Sequence, residues 1–184
     1  MTEPRWRLPP IPVLLVGVVL IACAELGGGA MAQFKLELAR WARGTMLARP
    51  HVHGLVGVRD VDEQILDEAL VKLDGGLRLF HLHAEGMGTI IIVTAMVAAS
   101  LVDRSALRRT IVALITVGGA VYPLGYLLWS GLIPFHGIAR GKRLAEWLVW
   151  IPFGSAAIVA MWLLAAALAA QCIRSVAGRS RVAP

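Results

Sequence analysis

Hydrophobic residues in this chain fall into four long runs, separated by short polar segments and one long segment of mixed character. The runs cover about residues 11–32, 79–102, 110–133 and 147–171. Each is about as long as the ~20 residues that an α-helix needs to cross the hydrocarbon of a bilayer. The pattern predicts an all-α integral membrane protein, a single membrane domain built as a four-helix transmembrane bundle.

The mixed segment, residues 33–78, predicts two amphipathic helices that cap the outer side of the bundle. The first is indicated by apolar positions at helical spacing between Phe34 and Arg49 and is expected on the membrane surface. Those positions are Phe34, Leu38, Trp41 and Thr45. Asp60 and Glu63 resemble a capping box, with Asp60 as the N-cap. The helix after Asp60 is predicted to bury Ile65, Leu66, Ala69, Leu70 and Leu73 and to end at Gly75-Gly76.

Composition and charge agree with a membrane location. The chain has 184 residues, of which 58% are hydrophobic, and its net charge is +6. The arginines cluster at the ends of the apolar runs, which is the pattern of membrane topology signals rather than of a nucleic-acid interface. The N-terminus, the turn around residues 103–109 and the tail are rich in arginine and poor in acids. We therefore expect both termini in the cytoplasm and the chain in a bacterial-type inner membrane.

The two cysteines offer neither a disulfide framework nor a zinc-ligand spacing. Cys23 has one further interpretation, because Leu20-Ile21-Ala22-Cys23 fits the lipobox of bacterial lipoprotein signals. Cleavage there would leave a lipidated Cys23 and three membrane helices. The apolar run continues past Cys23 to Met31, which favours an uncleaved first helix.

The histidines carry the strongest functional signal. Two His-x-His pairs, His51-Val52-His53 and His81-Leu82-His83, and His136 account for all five. The expected topology places them on the outer side of the membrane. Ionisable groups at a membrane helix end are costly and predict a functional site, although interfacial packing is the alternative.

The second membrane helix contains the most specific arrangement of these groups. His81 and Glu85 are one turn apart and share a face, whereas His83 points about 200° away from His81. One intact helix therefore cannot direct both imidazoles to one metal. Gly86 and Gly88 permit close approach of another helix or a flat cofactor. In the first helix, Glu25 offers a carboxylate in the outer half, either as a buried proton carrier or as a surface residue.

A haem b is the first cofactor hypothesis, since two imidazoles from facing helices can ligate its iron. The favoured ligands are His81 and His136, with Arg78 or Glu85 beside the cofactor. Leu77-Arg78-Leu79-Phe80-His81 resembles the start of the low-spin haem helix in the catalytic subunits of cbb3-type oxidases and nitric oxide reductases. The resemblance covers five residues and implies that His81 is an axial ligand and Arg78 a propionate partner. It implies electron transfer with quinone or a partner subunit.

Two other functions stay open on the sequence alone. A copper site is the second hypothesis, with His83, His51 and His53 as leading ligands, and His81, His136, Met46 and Met87 available nearby. The third is a cofactor-free accessory or assembly subunit of a membrane complex, or a homo-oligomer. Gly154, Ser155, Ala156, Ala157 and Ala160 on the fourth helix favour such contacts between helices. A stand-alone enzyme is less favoured, because no nucleophile has a plausible adjacent base.

Overall fold

The computed structural model describes residues 7–180, with side chains described as far as residue 174. Within these residues every regular element is helical, as the sequence predicts. The helices are α1 (Ile11–Leu47), α2 (Pro50–His53), α3 (Arg59–Leu101), α4 (Ser105–Val121), α5 (Leu124–His136), α6 (Ile138–Ala145) and α7 (Ser155–Ser180). A π-helical segment, Glu146–Gly154, joins α6 to α7 without a break.

Four helical stretches of the described chain are long and apolar enough to cross a membrane. They are Ile11–Leu47, Arg59–Leu101, Ser105–His136 and Ile138–Arg174. Each contains one of the four predicted runs, so the prediction of four apolar helices is confirmed.

The helices pack mainly as neighbours in a row. α1 lies along α3, α3 contacts α4 and α5, and α4 contacts α7. A central cluster joins Leu20 and Ala24 of α1 to Ala84 and Ile91 of α3 and Ile115 of α4. We call the end of the bundle that holds residues 7–10, the turn 102–104 and the end of α7 the terminal end. The opposite end, which holds residues 34–78, is the hairpin end.

The two helices predicted between residues 33 and 78 are continuations of α1 and α3. α1 has 37 residues and α3 has 43, or about 55 and 65 Å at 1.5 Å per residue, against about 30 Å of hydrocarbon. The predicted boundary near Phe34 is a kink in α1, where φ is −111° and ψ is 17°. The predicted break at Gly75-Gly76 is wrong, because α3 runs through both glycines. Gly76 packs against Ser130 and Trp129. This contact stabilises the helix at a position where two glycines have low helix propensity.

The two arms of this helical hairpin pack against each other through small and apolar side chains. Ala42 and Met46 of α1 are fully buried against Leu66, Ala69 and Leu73 of α3. The α3 face is therefore correctly predicted. Phe34 and Trp41 of α1 remain 57% and 48% exposed, so the face predicted to lie on the membrane surface is not part of this cluster. The packed face follows the i, i+4 positions Leu38, Ala42 and Met46, since helix-to-helix packing selects small residues as well as large ones.

Polar contacts also tie the hairpin together. Arg43 of α1 donates a hydrogen bond to Glu63 of α3 and lies 3.8 Å from Asp67. The hydrogen bond with Glu63 raises the pKa of Arg43. Asp60 is not the N-cap of α3, because the helix already begins at Arg59 and Val58 occupies the cap. Asp62 instead accepts hydrogen bonds from the backbone N–H groups of Val56 and Gly57, at 2.8 and 3.0 Å.

Prolines shape the second half of the bundle. The third apolar stretch is interrupted at Tyr122-Pro123 and divides into α4 and α5. The short polar segment between the third and fourth runs forms the helix α6, preceded by Gly137 at φ +75°. Pro152 lies in the π-helical segment, where its missing N–H interrupts the regular α-helical bonding.

Candidate metal centre

The candidate site is built on the close packing of α1 against α3. Ala24 and Ala84 are fully buried between the two helices. Gly17 and Gly88 mark a crossing so close that a Cβ on Gly88 would lie 2.7 Å from the carbonyl oxygen of Gly17. Small residues at such positions let two helix backbones touch, which brings the side chains flanking the contact within reach of each other.

Glu25, His81 and Glu85 converge beside this interface. One ligand atom from each residue, a ring nitrogen of His81 and a carboxylate oxygen of each glutamate, can be chosen so that all three lie within 4.8 Å of one another. His81 and Glu85 come from successive turns of α3, as their spacing predicts, and Glu25 comes from α1. The imidazole is half-buried, whereas both carboxylates are exposed on the surface of the bundle.

The orientation of the His81 ring is fixed by α1. Its Nδ1 lies 2.8 Å from the carbonyl oxygen of Ala24. A carbonyl can only accept, so Nδ1 carries the proton and Nε2 of the neutral ring keeps its lone pair. Histidines that bind metals usually donate their other N–H to an oxygen in this way. Gly28 makes room for the ring, since a Cβ there would lie 3.0 Å from Cε1 and Nδ1 of His81.

Arg78 does not neutralise Glu85 in this structure. The ion pair that Arg78 makes is with Asp74, at 2.8 Å, and its side chain is 64% exposed. Lys35 of α1 lies 3.7 Å from the same aspartate. Arg78 and Lys35 are therefore both directed to Asp74, which precedes His81 on α3 by seven residues or about two turns.

His83 lies on the opposite face of α3 from His81, as the 200° separation predicts. Its Nδ1 donates to the carbonyl oxygen of Leu79 at 2.8 Å, and its Nε2 lies 3.4 Å from the hydroxyl of Tyr126. That hydroxyl is 3.1 Å from the hydroxyl of Tyr122. Trp150 of the π-helical segment packs on Tyr126, with ring centroids 4.8 Å apart. Both nitrogens of His83 thus have partners, and its ring belongs to an aromatic cluster on the α5 side.

The remaining histidines lie at the far part of the hairpin end. His53 and His136 line one cavity of about 430 Å³, and Nε2 of His53 is 3.2 Å from the carbonyl oxygen of Pro134. His51 is exposed on α2. The cavity reaches Ala69 of α3, twelve residues before His81, or about 18 Å along a helix. The structure therefore does not bring His136, His53 or His51 to His81.

The two methionines considered as copper ligands are packing residues here. Met46 is fully buried in the cluster of the hairpin. Met87 lies against Gly119, where a Cβ would be 2.8 Å from its terminal methyl group. Neither thioether lies at the Glu25–His81–Glu85 cluster.

Glu25 is the site residue that sequence reasoning leaves without a role. Its partnership with His81 depends on how α1 and α3 are aligned, which no spacing within one helix reveals. The available signal is Ala24-x-x-x-Gly28, a pair of small residues one turn apart that is typical of a helix contact. Comparison with protein-family models, curated proteins and solved structures finds no match to this chain. The chain is thus placed by its own architecture, as an all-α bundle with four helices able to cross a membrane.

Proposed function

We propose that this protein is an integral membrane protein that binds one transition-metal ion through Glu25, His81 and Glu85. The observation that supports this most is the convergence of one imidazole and two carboxylates from two helices within 4.8 Å. The hydrogen bond from His81 to Ala24 adds to it, because it leaves Nε2 as the nitrogen able to bind a cation.

The position of this cluster near the hydrocarbon of the membrane favours binding of a cation. Two carboxylates close to each other repel, and each is expensive to keep charged near hydrocarbon. A divalent ion compensates both charges at once and uses the imidazole as a third ligand. No arginine or lysine does this among the described residues, since Arg78 and Lys35 both pair with Asp74.

One imidazole and two carboxylates are ligands that favour a divalent first-row transition metal. Imidazole suits zinc, copper, iron and nickel, while carboxylates also suit manganese. The three protein ligands leave coordination positions open for water, a small molecule or a partner's group. Iron, manganese or copper there would support the electron transfer that the sequence predicts, in contact with quinone or another membrane subunit. Zinc has no redox chemistry and would make the site a binding site only.

The same proposal includes the topology. The arginines near the ends of the spans support a bacterial-type inner membrane with both termini in the cytoplasm. The metal centre then lies toward the outer leaflet, because His81 and Glu85 belong to the first turns of the apolar part of α3.

Haem b is the second candidate, favoured by the available Nε2 of His81. Because His136 lies in a separate cavity, His81 would be the single histidine on the iron in this arrangement. Copper bound by the other histidines is a further candidate, and a His81→Ala variant that keeps its copper would identify it.

The test is to purify the protein in detergent from cells grown with iron, manganese, copper and zinc, and to record metal content and visible spectra. About one equivalent of metal without a Soret band is the expected result. A Soret band that sharpens on dithionite reduction, with α and β bands, would identify haem b instead. Protein that is colourless, metal-free and unable to bind any of these ions would contradict both the transition-metal site and haem b. The remaining function would then be that of a cofactor-free accessory subunit.

A further inference from the structure

A second cavity lies at the terminal end, far from the candidate metal centre. It has a volume of about 500 Å³ and runs between the start of α1, Ala99 of α3 and the first turns of α4. Its walls are apolar and its rim carries three arginines, Arg7, Arg108 and Arg109. We call it the terminal groove.

The segment before α1 forms one wall of this groove, and it is held in place by α3. The backbone N–H of Arg7 donates to the hydroxyl of Ser100 at 2.9 Å, and that hydroxyl lies 3.4 Å from the carbonyl oxygen of Arg7. These two contacts fix residue 7 beside the end of α3. Arg7 is therefore placed across the groove from Arg108 and Arg109 of α4.

The groove is unbalanced in charge. None of the described residues that line it is acidic. Asp103, in the turn that precedes α4, instead lines a separate cavity together with Arg104 and Arg174. The lining of the terminal groove therefore includes three positive charges and no carboxylate. The guanidinium of Arg108 also donates to the carbonyl oxygen of Val102 at 3.4 Å.

The depth of the groove matches a lipid chain. Its lining on α4 extends from Arg108 to Val117, nine residues or about 13.5 Å along the helix. Half of a hydrocarbon core of about 30 Å is about 15 Å. A molecule with an anionic head at the arginines and an apolar tail along Val112, Ala113 and Val117 would occupy the groove along its length.

We propose that the terminal groove binds one anionic phospholipid, with its phosphate among Arg7, Arg108 and Arg109 and an acyl chain along α4. Basic residues between helix ends attract anionic head groups, and each arginine near the surface favours an anionic over a neutral lipid. A zwitterionic lipid carries no net charge to balance the three arginines. The groove is therefore selective for net negative charge as well as for an acyl chain.

The experiment is native mass spectrometry of the purified full chain in detergent, titrated with phosphatidylglycerol or with phosphatidylcholine of the same chain length. The expected result is one retained phosphatidylglycerol, bound at least ~10-fold more tightly than phosphatidylcholine because several arginines contribute. Equal binding of the two lipids would overturn the proposal.

Three variants separate this groove from general attraction to a basic surface. Arg108→Gln with Arg109→Gln should lose the preference, whereas Arg104→Gln with Arg174→Gln removes the same charge outside the groove and should keep it. Ala113→Phe leaves every charge in place but fills the groove, and should abolish retention of phosphatidylglycerol.

Retention by Ala113→Phe, or equal loss in the two double variants, would show that charge alone binds the lipid and would contradict the groove. A helical circular dichroism spectrum and an unchanged metal content establish that each variant is folded, because Glu85 of the candidate metal centre lies fourteen residues, or about 21 Å, along α3 from Ala99 of the groove.

Discussion

The chemistry of His81 is set by two residues of α1 that contribute no functional side chain. The carbonyl oxygen of Ala24 accepts the proton of Nδ1, and the absence of a side chain at Gly28 gives the ring its place. Without the first contact the imidazole would have no fixed tautomer. Without the second, the ring could not lie against α1 beside Glu25.

The glycines of α1 offer a direct test of this arrangement. In Gly28→Ala the new Cβ would lie 3.0 Å from the His81 ring, so the ring must shift by a few tenths of an ångström. A displaced ligand weakens a metal site, and we expect about a tenfold loss of metal affinity. The measurement is isothermal titration of the metal-free protein with the ion found in the purified sample.

Gly29→Ala is the matched control, because nothing lies within 4 Å of a Cβ at that position. Both substitutions raise helix propensity by a similar amount. Equal affinities for the two variants would show that Gly28 does not position the ring.

Residue spacing alone predicts the placement of His81 and Glu85 but not that of Glu25. His81 and Glu85 share a face because they are four residues apart, and the opposite direction of His83 follows from the same periodicity. Glu25 lies beyond such reasoning, because its position depends on the alignment of two helices 56 residues apart in sequence. Ala24 and Gly28 of α1 are visible in the sequence as small residues one turn apart. The sequence does not show that the helix they pack against is α3.

At the scale of elements, the crossing of α1 and α3 determines where the site lies. Gly17 and Gly88 allow the two backbones to touch, and Ala24 and Ala84 continue the contact toward the hairpin end. Glu25 and His81 lie next to this line of small residues. A shift of one turn between the helices, about 5.4 Å, would separate the carboxylate from the imidazole.

Gly88→Ala is expected to destabilise this crossing. Its Cβ would lie 2.7 Å from the Gly17 carbonyl oxygen and 2.6 Å from Cγ1 of Ile21, so the helices must move apart. Overpacking of this kind costs about 1–3 kcal/mol. Thermal unfolding in detergent should show a lower midpoint, together with weaker metal binding.

Gly86→Ala provides the comparison on the same helix, since a Cβ there meets nothing within 4 Å. Its unfolding midpoint should be unchanged or higher. If both variants unfold alike, the close approach of α1 and α3 does not stabilise the bundle.

The elements themselves were predictable to different degrees. The apolar runs predict four spans because hydrophobic length is a strong signal. The continuity of α3 through Gly75-Gly76 is not predictable in this way. Local propensity disfavours helix there, and the contact of Gly76 with Ser130 and Trp129 of α5 outweighs it. The start of α3 is a second example. The sequence spacing favours Asp60 as the N-cap, but it is Asp62 that accepts hydrogen bonds from the backbone of the preceding loop.

At the scale of the whole molecule, the bundle has two chemically different ends. The hairpin end carries His51, His53 and His136, the terminal end carries the arginine-lined groove, and the candidate metal centre lies on α3 between the two ends. Sequence predicts this asymmetry, since the histidines and the arginine clusters alternate along the chain at successive span ends. The cavities at each end depend on packing and are known only from the structure.

The proposed topology predicts which end is accessible from outside the cell. With Cys23 and Cys172 replaced by alanine, a cysteine at exposed Val56 should react with a membrane-impermeant maleimide in intact cells. A cysteine at exposed Ser105 should react only after the cells are opened. The reverse pattern would place both termini outside and the metal centre toward the cytoplasm.

The proposed metal centre is tested most directly by the metal stoichiometry of four variants purified in parallel. His81→Ala and Glu25→Gln remove one ligand from each helix, while His136→Ala and Glu37→Gln remove the same groups elsewhere. Elemental analysis after dialysis should find about one metal per chain in the wild type and both controls, and little or none in His81→Ala and Glu25→Gln. Full metal content in His81→Ala, or its loss in His136→Ala, would contradict a site at Glu25, His81 and Glu85.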